Sequence, residues 1–248
     1  MAEPVKLKDG STISDRRLDR IEQFDERSRA YGVSALALPM TLRGVAWRCT
    51  PRLDQGREGA CVSFAWSHEL AAVPVDVPGI DDAFAFAHYP LMQRADQWPG
   101  EEPDYSGTSV LAGAKVMQRE GYISGYHWAF LIFEALQAIS HAGPVVFGIP
   151  WKDSMYEPRP DGLLDCSGKV IGRHAILGRG LRLRARLEGV SEPVVRLRNS
   201  WSASWGSNGD GFIRVSDLEQ LLAEGGEACL PLGRKAGPLT TIRQRICT

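Results

Sequence analysis

The spacing of hydrophobic positions changes about halfway along the chain. In the first half, apolar residues recur at helical spacing and predict four helices, at residues 61–73, 81–95, 110–120 and 130–141. In the second half, short apolar runs separated by turn residues predict four strands, at residues 145–149, 174–183, 194–199 and 211–215. A helical half followed by a strand-rich half is typical of an α+β domain, and we place the change at about residue 143.

Residues 1–37 carry a weaker pattern, which we call the N-terminal arm. Leu18, Ile21 and Phe24 recur at helical spacing and predict a charged helix over residues 15–29. Such an arm either lies along a cleft or packs against the body of the domain. Full burial of three apolar side chains contributes about 1.5–3 kcal/mol each, which would bind the arm in a cleft only weakly. We therefore favour packing against the body and expect the chain to be active with the arm attached.

A turn rich in glycine delivers one cysteine to the start of the first predicted helix. Gly56 and Gly59 allow backbone conformations that other residues avoid, and Cys61 follows at the first helical position. Free backbone N–H groups and the positive end of the helix dipole favour the thiolate there, which is the nucleophilic form. Gln55 can return its amide to the same place and help to bind an oxyanion. On this stretch alone, a buried structural thiol explains Cys61 equally well.

Two later strands supply the partners that thiol chemistry requires. The first contains His174, and in the second the alternation of side chains places Val195, Leu197 and Asn199 on one face. An asparagine on an apolar face needs a partner, because an unpaired buried amide is costly, and a histidine N–H would satisfy it. Cysteine, histidine and asparagine together form the nucleophile, the base and the orienting group of acyl transfer.

Four motifs therefore occur in a fixed order along the chain: Gln55 six residues before Cys61, His174-Ala175, Asn199-Ser200-Trp201 and Trp205-Gly206. In this order and spacing they resemble the motifs of the papain-like cysteine peptidases. The resemblance continues through Asn208-Gly209 and the strand that follows, and it covers about residues 38–232. The style of the motifs fits a divergent member from a bacterium or a phage.

The resemblance implies a papain-like fold, in which an active-site cleft lies between a helical half and an antiparallel, barrel-like half. It implies that Cys61 is the nucleophile and His174 the base, while Asn199 orients the imidazole. Gln55 and the backbone N–H of Cys61 would form the oxyanion hole. Trp201 would support the site by shielding the hydrogen bond between His174 and Asn199 from water.

The loop before the third helix corresponds to a loop that lines the cleft in the family. This implies that Ser106 and Gly107 bind substrate, although a plain helix cap explains them equally well. His68 lies seven residues after Cys61, about two helical turns away and too far for direct proton transfer. We expect His68 to be a structural histidine.

Three positions depart from the family's pattern. Glu58 stands where secreted members carry a half-cystine, and its carboxylate opposes thiolate formation at Cys61 unless it is paired, with Arg57 as a candidate partner. Val62 replaces the aromatic residue that follows the nucleophile. Arg173 precedes the histidine, and a cation there disfavours imidazolium. We expect slow activity or a shifted pH optimum.

Composition narrows the class of protein further. The 248 residues suit one large domain, which we place at 38–232 between the arm at 1–37 and a basic tail at 233–248. A net charge of −1 gives no attraction to nucleic acid or to an anionic membrane, and no apolar run approaches spanning length. Five cysteines without CxxC pairs predict neither a zinc site nor a disulfide framework. Without an apolar secretory core near the N-terminus, we expect a cytoplasmic protein with no cofactor and no metal.

These residues predict a cysteine-type endopeptidase that hydrolyses peptide bonds of a peptide or protein substrate through a thioester acyl-enzyme. Acyl transfer to an amine, or amidase chemistry, is an open alternative, because the same residues would form the same acyl-enzyme. A papain-like domain that binds peptides without cleaving them is a third possibility. Such a domain would be expected to lack a catalytic residue, and none is missing here.

Overall fold

Helix α1 (Cys61–Leu70) lies at the centre of the fold in the computed structural model, which describes residues 4–235. All ten of its residues are buried, because it contacts other helices as well as the main β-sheet. A helix that is apolar on most sides is expected in such a position. The combination of a helical first half with a sheet in the second half confirms the predicted α+β fold.

The four predicted helices are present, with ends displaced by a few residues, and a fifth follows near the end of the described chain. The helices after α1 are α2 (Asp82–Ala95), α3 (Val110–Arg119), α4 (Ile132–His141) and α5 (Val215–Ala223). Asp81 caps α2 by accepting a hydrogen bond from the Phe84 N–H at 2.8 Å. Ser109 caps α3 in the same way, at 3.0 Å from the Ala112 N–H. None of the helices within residues 4–235 combines the length and the apolar character needed to cross a bilayer.

The main sheet has seven strands, and every pairing between them is antiparallel. The strands of the described chain are β1 (Val5–Lys6), β2 (Thr12–Ile13), β3 (Arg20–Ile21), β4 (Val45–Ala46), β5 (Thr108–Ser109), β6 (Gly125–Trp128), β7 (Val145–Lys152), β8 (Val170–Arg182), β9 (Val194–Arg198), β10 (Asp210–Arg214) and β11 (Glu227–Leu232). The order in the sheet is β10–β9–β8–β7–β11–β6, with β4 added on β8. Strands β6 and β11 were not predicted, since Gly125 and Pro231 weaken their strand signal.

The N-terminal arm is not helical in the way that the sequence predicts. A β1–β2 hairpin is followed by three short 3₁₀ helices and by β3, which pairs in parallel with β5. The predicted helix over residues 15–29 is therefore wrong. Asp15 and Asp25 each cap a 3₁₀ turn by accepting from the N–H two residues later, and β3 takes its hydrogen bonds from β5.

The buried apolar side chains form two large clusters. One surrounds α1, α2 and α3 and includes Cys61, while the other lies between the sheet and helices α4 and α5 and includes Trp151 and Trp201. The arm contributes Leu18 to the second cluster, whereas Phe24 is 54% exposed. Strand β8 contributes to both clusters, with Ala175 and Leu177 in the first and Ile176 in the second.

One buried carboxylate ties three neighbouring strands together. Asp210, on β10, accepts from Arg179 Nε of β8 at 3.0 Å and from Arg198 Nε of β9 at 2.7 Å, and it also pairs with Arg196. The alternation along β9 would leave Arg198 outside the core, yet its side chain is 1% exposed because Asp210 neutralises it. This cluster fixes the end of β9, directly before Asn199.

Replacing Asp210 should destabilise the fold strongly. In Asp210→Asn two buried guanidinium groups lose their partner, and we expect a loss of about 3–5 kcal/mol in the free energy of unfolding. Urea denaturation at pH 7 measures this loss. The matched control is Glu26→Gln, which breaks an exposed ion pair with Arg29 and should cost at most about 1 kcal/mol. Equal effects of the two substitutions would contradict the role given to Asp210.

The same carboxylate predicts part of the acid sensitivity. Burial opposes its charge, but the hydrogen bonds from Arg179 and Arg198 outweigh burial and lower the pKa of Asp210 to about 2. Its contribution to stability is therefore present above the unfolded value of about 3.9 and is lost as the pH falls towards 2. Unfolding of Asp210→Asn should lack this component of the acid dependence.

Candidate active site

Cys61 begins α1 directly after a tight turn. The turn uses Gly56 in a left-handed conformation, with φ of +58°, and the Asp54 carboxylate accepts from the Gly56 N–H at 2.8 Å. The Cys61 thiol is fully buried, and its sulfur lies 3.4 Å from the Ala175 backbone nitrogen, which donates to it. This contact joins the start of α1 to strand β8.

His174 and Asn199 form the contact expected from the sequence. His174 Nε2 lies 2.7 Å from Asn199 Oδ1. The same oxygen accepts from the Ser200 N–H at 2.8 Å, which fixes the orientation of the amide. His174 Nε2 must therefore carry a proton and donate it, and Nδ1 is left to face the cleft.

Aromatic rings enclose this hydrogen bond. The Trp201 ring lies 5.1 Å from the imidazole of His174, and the Trp151 ring lies 4.8 Å from it. The two tryptophans also contact each other in an edge-to-face arrangement at 5.1 Å. Because these rings exclude water, the bond between His174 and Asn199 is stronger than it would be on the surface. Trp151 has no counterpart among the residues singled out from the sequence.

Gln55 is buried and firmly held beside the thiol turn. Its Nε2 donates to the Glu58 carbonyl at 2.7 Å, and its Oε1 accepts from the Ser200 hydroxyl at 2.6 Å. The second proton on Nε2 points at the carbonyl of Arg17, at 3.5 Å. A peptide carbonyl of the chain itself thus lies where Gln55 can donate to it.

That carbonyl belongs to the N-terminal arm, which crosses the site. Arg17 O lies 3.2 Å from His174 Nδ1, and the Asp19 carboxyl lies 3.5 Å from the Cys61 sulfur. Within residues 4–235, no hydrogen bond joins the thiol directly to the imidazole. The expectation that the arm packs away from the cleft is therefore wrong.

Ser106 and Gly107 both contact the arm. Ser106 donates its hydroxyl proton to Asp19 Oδ2 at 2.8 Å. Gly107 has φ of +96°, and a Cβ at this position would collide with the Asp19 carbonyl. The alternative that these two residues cap α3 does not hold, since Ser109 is the cap. They line the cleft and hold a peptide segment there, although the segment belongs to this chain.

Enclosure by the arm changes the protonation of the site. Burial raises the pKa of the Cys61 thiol well above its usual range, and the nearby Asp19 charge raises it further. Burial also lowers the pKa of His174 to about 4, against the opposing hydrogen bonds of Asn199 and Arg17. Enclosure therefore disfavours both the thiolate and the imidazolium, whereas the sequence alone predicts an activated thiolate.

Two of the departures from the family's pattern have partners in the arm. Glu58 pairs with Arg16 at 3.6 Å, not with Arg57, and Arg173 pairs with Glu22 at 3.0 Å. With the arm in place, Arg173 is thus paired, and Glu58 shares the Arg16 guanidinium with Glu102. The sequence gives no local motif for these contacts, because the partners are 42 and 151 positions apart (58 − 16 and 173 − 22).

His68 is structural, as expected. Its Nε2 accepts from the Leu53 N–H at 3.2 Å, and burial lowers the pKa of His68 to about 3. It therefore stays neutral and holds the chain segment that leads to the thiol turn. Among residues 4–235, no three His, Cys, Asp or Glu side chains are grouped so that they could hold a metal ion.

Comparison with solved structures shows that this is the fold of the papain-like cysteine proteases. Xylellain, a cysteine protease from Xylella fastidiosa, matches 91% of this chain and 99% of its own chain, with 18% identity and a TM-score of 0.51. Procathepsin L 3 from the larval midgut of Tenebrio molitor matches 88% of this chain and 76% of its own, with 17% identity and a TM-score of 0.54. No protein-family model matches the sequence, and no curated protein does either.

The closed arrangement predicts a shielded thiol. At pH 7, iodoacetamide should modify Cys61 in the full chain no faster than it modifies the partly exposed Cys166, because Cys61 is buried and protonated. Site-resolved mass spectrometry after a timed reaction measures both rates. In urea the two thiols should react at similar rates. Rapid and selective modification of Cys61 in the folded chain would show that the arm does not cover it.

Proposed function

We propose that this protein is a cysteine-type peptidase that hydrolyses peptide bonds through a thioester acyl-enzyme. The observation that carries the proposal is the buried hydrogen bond of 2.7 Å between His174 Nε2 and Asn199 Oδ1, beside Cys61, whose sulfur contacts the backbone N–H of Ala175. This bond commits one imidazole nitrogen to Asn199 and leaves the other for proton transfer. The papain-like fold supports the same function.

In the open form, His174 Nδ1 takes the thiol proton of Cys61 while Nε2 keeps its proton on Asn199. The thiolate attacks the carbonyl carbon of the substrate, and the electron pair of the C=O bond moves to the oxygen. When this intermediate collapses, the C–N bond breaks and the leaving amine takes the proton from His174. A water molecule, deprotonated by His174, then attacks the thioester, which releases the acid and restores the thiol.

Gln55 and the backbone N–H of Cys61 stabilise the oxyanion. The amide of Gln55 is held by Glu58 and Ser200, so its free proton is already directed into the cleft. The carbonyl of Arg17 accepts at this place in the closed form, which supports the assignment of the position to a substrate carbonyl. Ser106 and Gly107 line the adjacent part of the cleft and would bind the substrate chain.

Activity requires the arm to leave the cleft, so the test uses an opened form. A recognition site for a specific protease is inserted after Met40, which is 73% exposed, and is cut after the chain has folded. The arm is then separated by gel filtration, and the body is mixed with a peptide library, with Cys61→Ser as control. New amine and carboxylate ends indicate hydrolysis, while products joined to an added amine identify an acyltransferase. No cleavage by the separated body would contradict a peptidase.

Loss of Gln55 tests the oxyanion hole. In the opened form, Gln55→Ala should lower kcat on the order of 10²–10³-fold with a smaller change in KM, because the donor acts on charge that develops in the transition state. Gln118→Ala is the control, at a glutamine whose amide donates to the Ser124 carbonyl at 3.0 Å within the body that remains after the cut. An equal loss of kcat in both variants would mean that Gln55 acts only through stability.

Substitutions of His174 and of Asn199 should differ in their effect on turnover. His174→Ala should abolish turnover because the imidazole carries the proton, whereas Asn199→Ala should leave a weakened enzyme because Asn199 only orients the ring. His68→Ala should reduce stability and leave kcat per folded molecule unchanged. These rates are measured on one fluorogenic peptide with the opened form. Loss of activity in a folded His68→Ala, with His174→Ala active, would show that the base is misassigned.

A further inference from the structure

The Asp19 carboxyl occupies an enclosed pocket without a cation. Its Oδ1 lies 3.5 Å from the Cys61 sulfur, and its Oδ2 accepts from the Ser106 hydroxyl at 2.8 Å and from the Tyr89 hydroxyl at 3.2 Å. The residue is 1% exposed. No lysine or arginine among residues 4–235 forms an ion pair with it. The arm therefore places an acidic side chain where only neutral groups receive it.

The pocket is shaped for this group. Gly59 forms one wall, and a Cβ there would collide with the Asp19 carboxyl and with Ser106. The Tyr89 hydroxyl accepts from the Gly107 N–H at 2.8 Å, and its own proton faces Asp19 Oδ2 at 3.2 Å, with Glu102 Oε1 slightly farther away at 3.4 Å. Helix α2 and the loop before β5 thus hold the two hydroxyl groups, of Tyr89 and Ser106, in place, and Gly59 leaves room for the carboxyl between them.

We propose that Gly59, Tyr89 and Ser106 form a binding pocket for an uncharged carboxyl side chain, that Asp19 is its ligand within this chain, and that the arm leaves the cleft more readily as the pH rises. As a regulation of the peptidase site, this rests on the function proposed above. Asp19 is the inhibitory contact that holds the arm on the nucleophile.

The physical reason is the cost of a buried charge. A carboxylate that gives up water for neutral donors is disfavoured relative to the carboxylic acid. Burial accordingly raises the pKa of Asp19 to about 7, against the hydrogen bonds of Ser106, Cys61 and Tyr89, and the charge of Glu102 adds to the rise. Once the arm is released into water, the same side chain titrates near 3.9.

The direction in which pH changes arm binding follows from the difference between the pKa of Asp19 in the bound arm and in the free arm. The bound arm holds the proton more tightly than the free arm, so binding is strongest below the free value of about 3.9. It weakens as the pH rises through that value towards 7 and then levels off. Release should therefore increase between pH 5.5 and pH 8.

Other groups near Asp19 titrate or carry charge. They are Cys61 on α1, Tyr89 on α2, Glu102 with its partner Arg16, and His174 on β8. His174 acts in the opposite direction, because its pKa is lowered in the closed form and its protonation opposes closure as the pH falls. The ion pair of Lys8 with Asp96 anchors the arm elsewhere, whereas Arg20, which pairs with Glu227, is near enough for its charge to favour the thiolate of Cys61. A comparison that keeps all these groups and changes only residue 19 isolates the proposed effect.

Asp19→Asn provides that comparison in the full chain. Asparagine has the shape of the uncharged acid and does not titrate, so the arm should stay bound at pH 8. The rate at which iodoacetamide modifies Cys61 is measured by mass spectrometry from pH 5.5 to pH 8 in both chains. Because the reaction occurs in the open form, the intrinsic pH dependence of the thiol cancels in the ratio of wild type to variant. This ratio should rise about tenfold or more across the range.

Asp25→Asn is the matched control, with the same substitution in the same arm. Hydrogen bonds from Arg27 lower the pKa of Asp25 to about 2, so Asp25 is ionised throughout the range and its ratio to wild type should stay constant. Hydrogen exchange at Arg20 and Ile21 of β3 gives a second measurement of arm release, and it should show the same divergence between wild type and Asp19→Asn. Thermal melts establish that each variant is folded.

Three results would overturn the proposal. A flat ratio between wild type and Asp19→Asn would show that Asp19 does not titrate on release. Faster modification in Asp19→Asn at every pH would show that the ionised carboxylate holds the arm. Equally rapid modification in both chains at pH 5.5 would show that the arm does not cover Cys61. None of these measurements needs peptide cleavage, so a rising ratio without any turnover would support the pocket while contradicting the peptidase.

Discussion

Exclusion of water from the space between the two halves determines the chemistry of this protein. With the arm in place, the Cys61 thiol, the His174 ring and the Asp19 carboxyl are all buried. Low polarity strengthens the hydrogen bond between His174 and Asn199, which Trp151 and Trp201 enclose. The same low polarity disfavours the thiolate of Cys61 and the imidazolium of His174. One physical condition, the exclusion of water, therefore both orders the site and opposes its ionisation.

The scaffold supplies this site from two directions. Helix α1 fixes Cys61 through complete burial, while the ionic cluster at Asp210 fixes the end of β9, from which Asn199 projects. Both parts belong to the body of the domain. The arm adds charges that complement the body, such as Arg16 on Glu58 and Glu22 on Arg173. Residues that look unfavourable for a thiol peptidase when the domain is considered alone are thus explained as contacts for a segment of the same chain.

The sequence predicted the features that depend on residues close together in the chain, and it missed those that depend on residues far apart in the chain. The helices and the turn before Cys61 follow from local patterns, and His174 and Asn199 were found because each lies in a short motif whose chemistry is specific. The path of the arm was not predicted, because Asp19 meets its partners Tyr89 and Ser106 across 70 and 87 positions and no local motif marks such a contact. The apolar spacing of Leu18, Ile21 and Phe24 indicated a helix, whereas backbone pairing of β3 with β5 decided the outcome.

The arm is continuous with the domain that it covers, and this continuity has a thermodynamic consequence. A tethered segment binds at an effective concentration set by its linker, on the order of millimolar for a short flexible one, whatever the concentration of the protein. Closure is then a unimolecular equilibrium that dilution does not shift. If the chain is cut near Met40, rebinding becomes bimolecular, and the same contacts would have to supply the whole affinity at cellular concentrations. A single cleavage in an exposed segment could therefore convert a reversible closure into a lasting opening without altering any residue of the site.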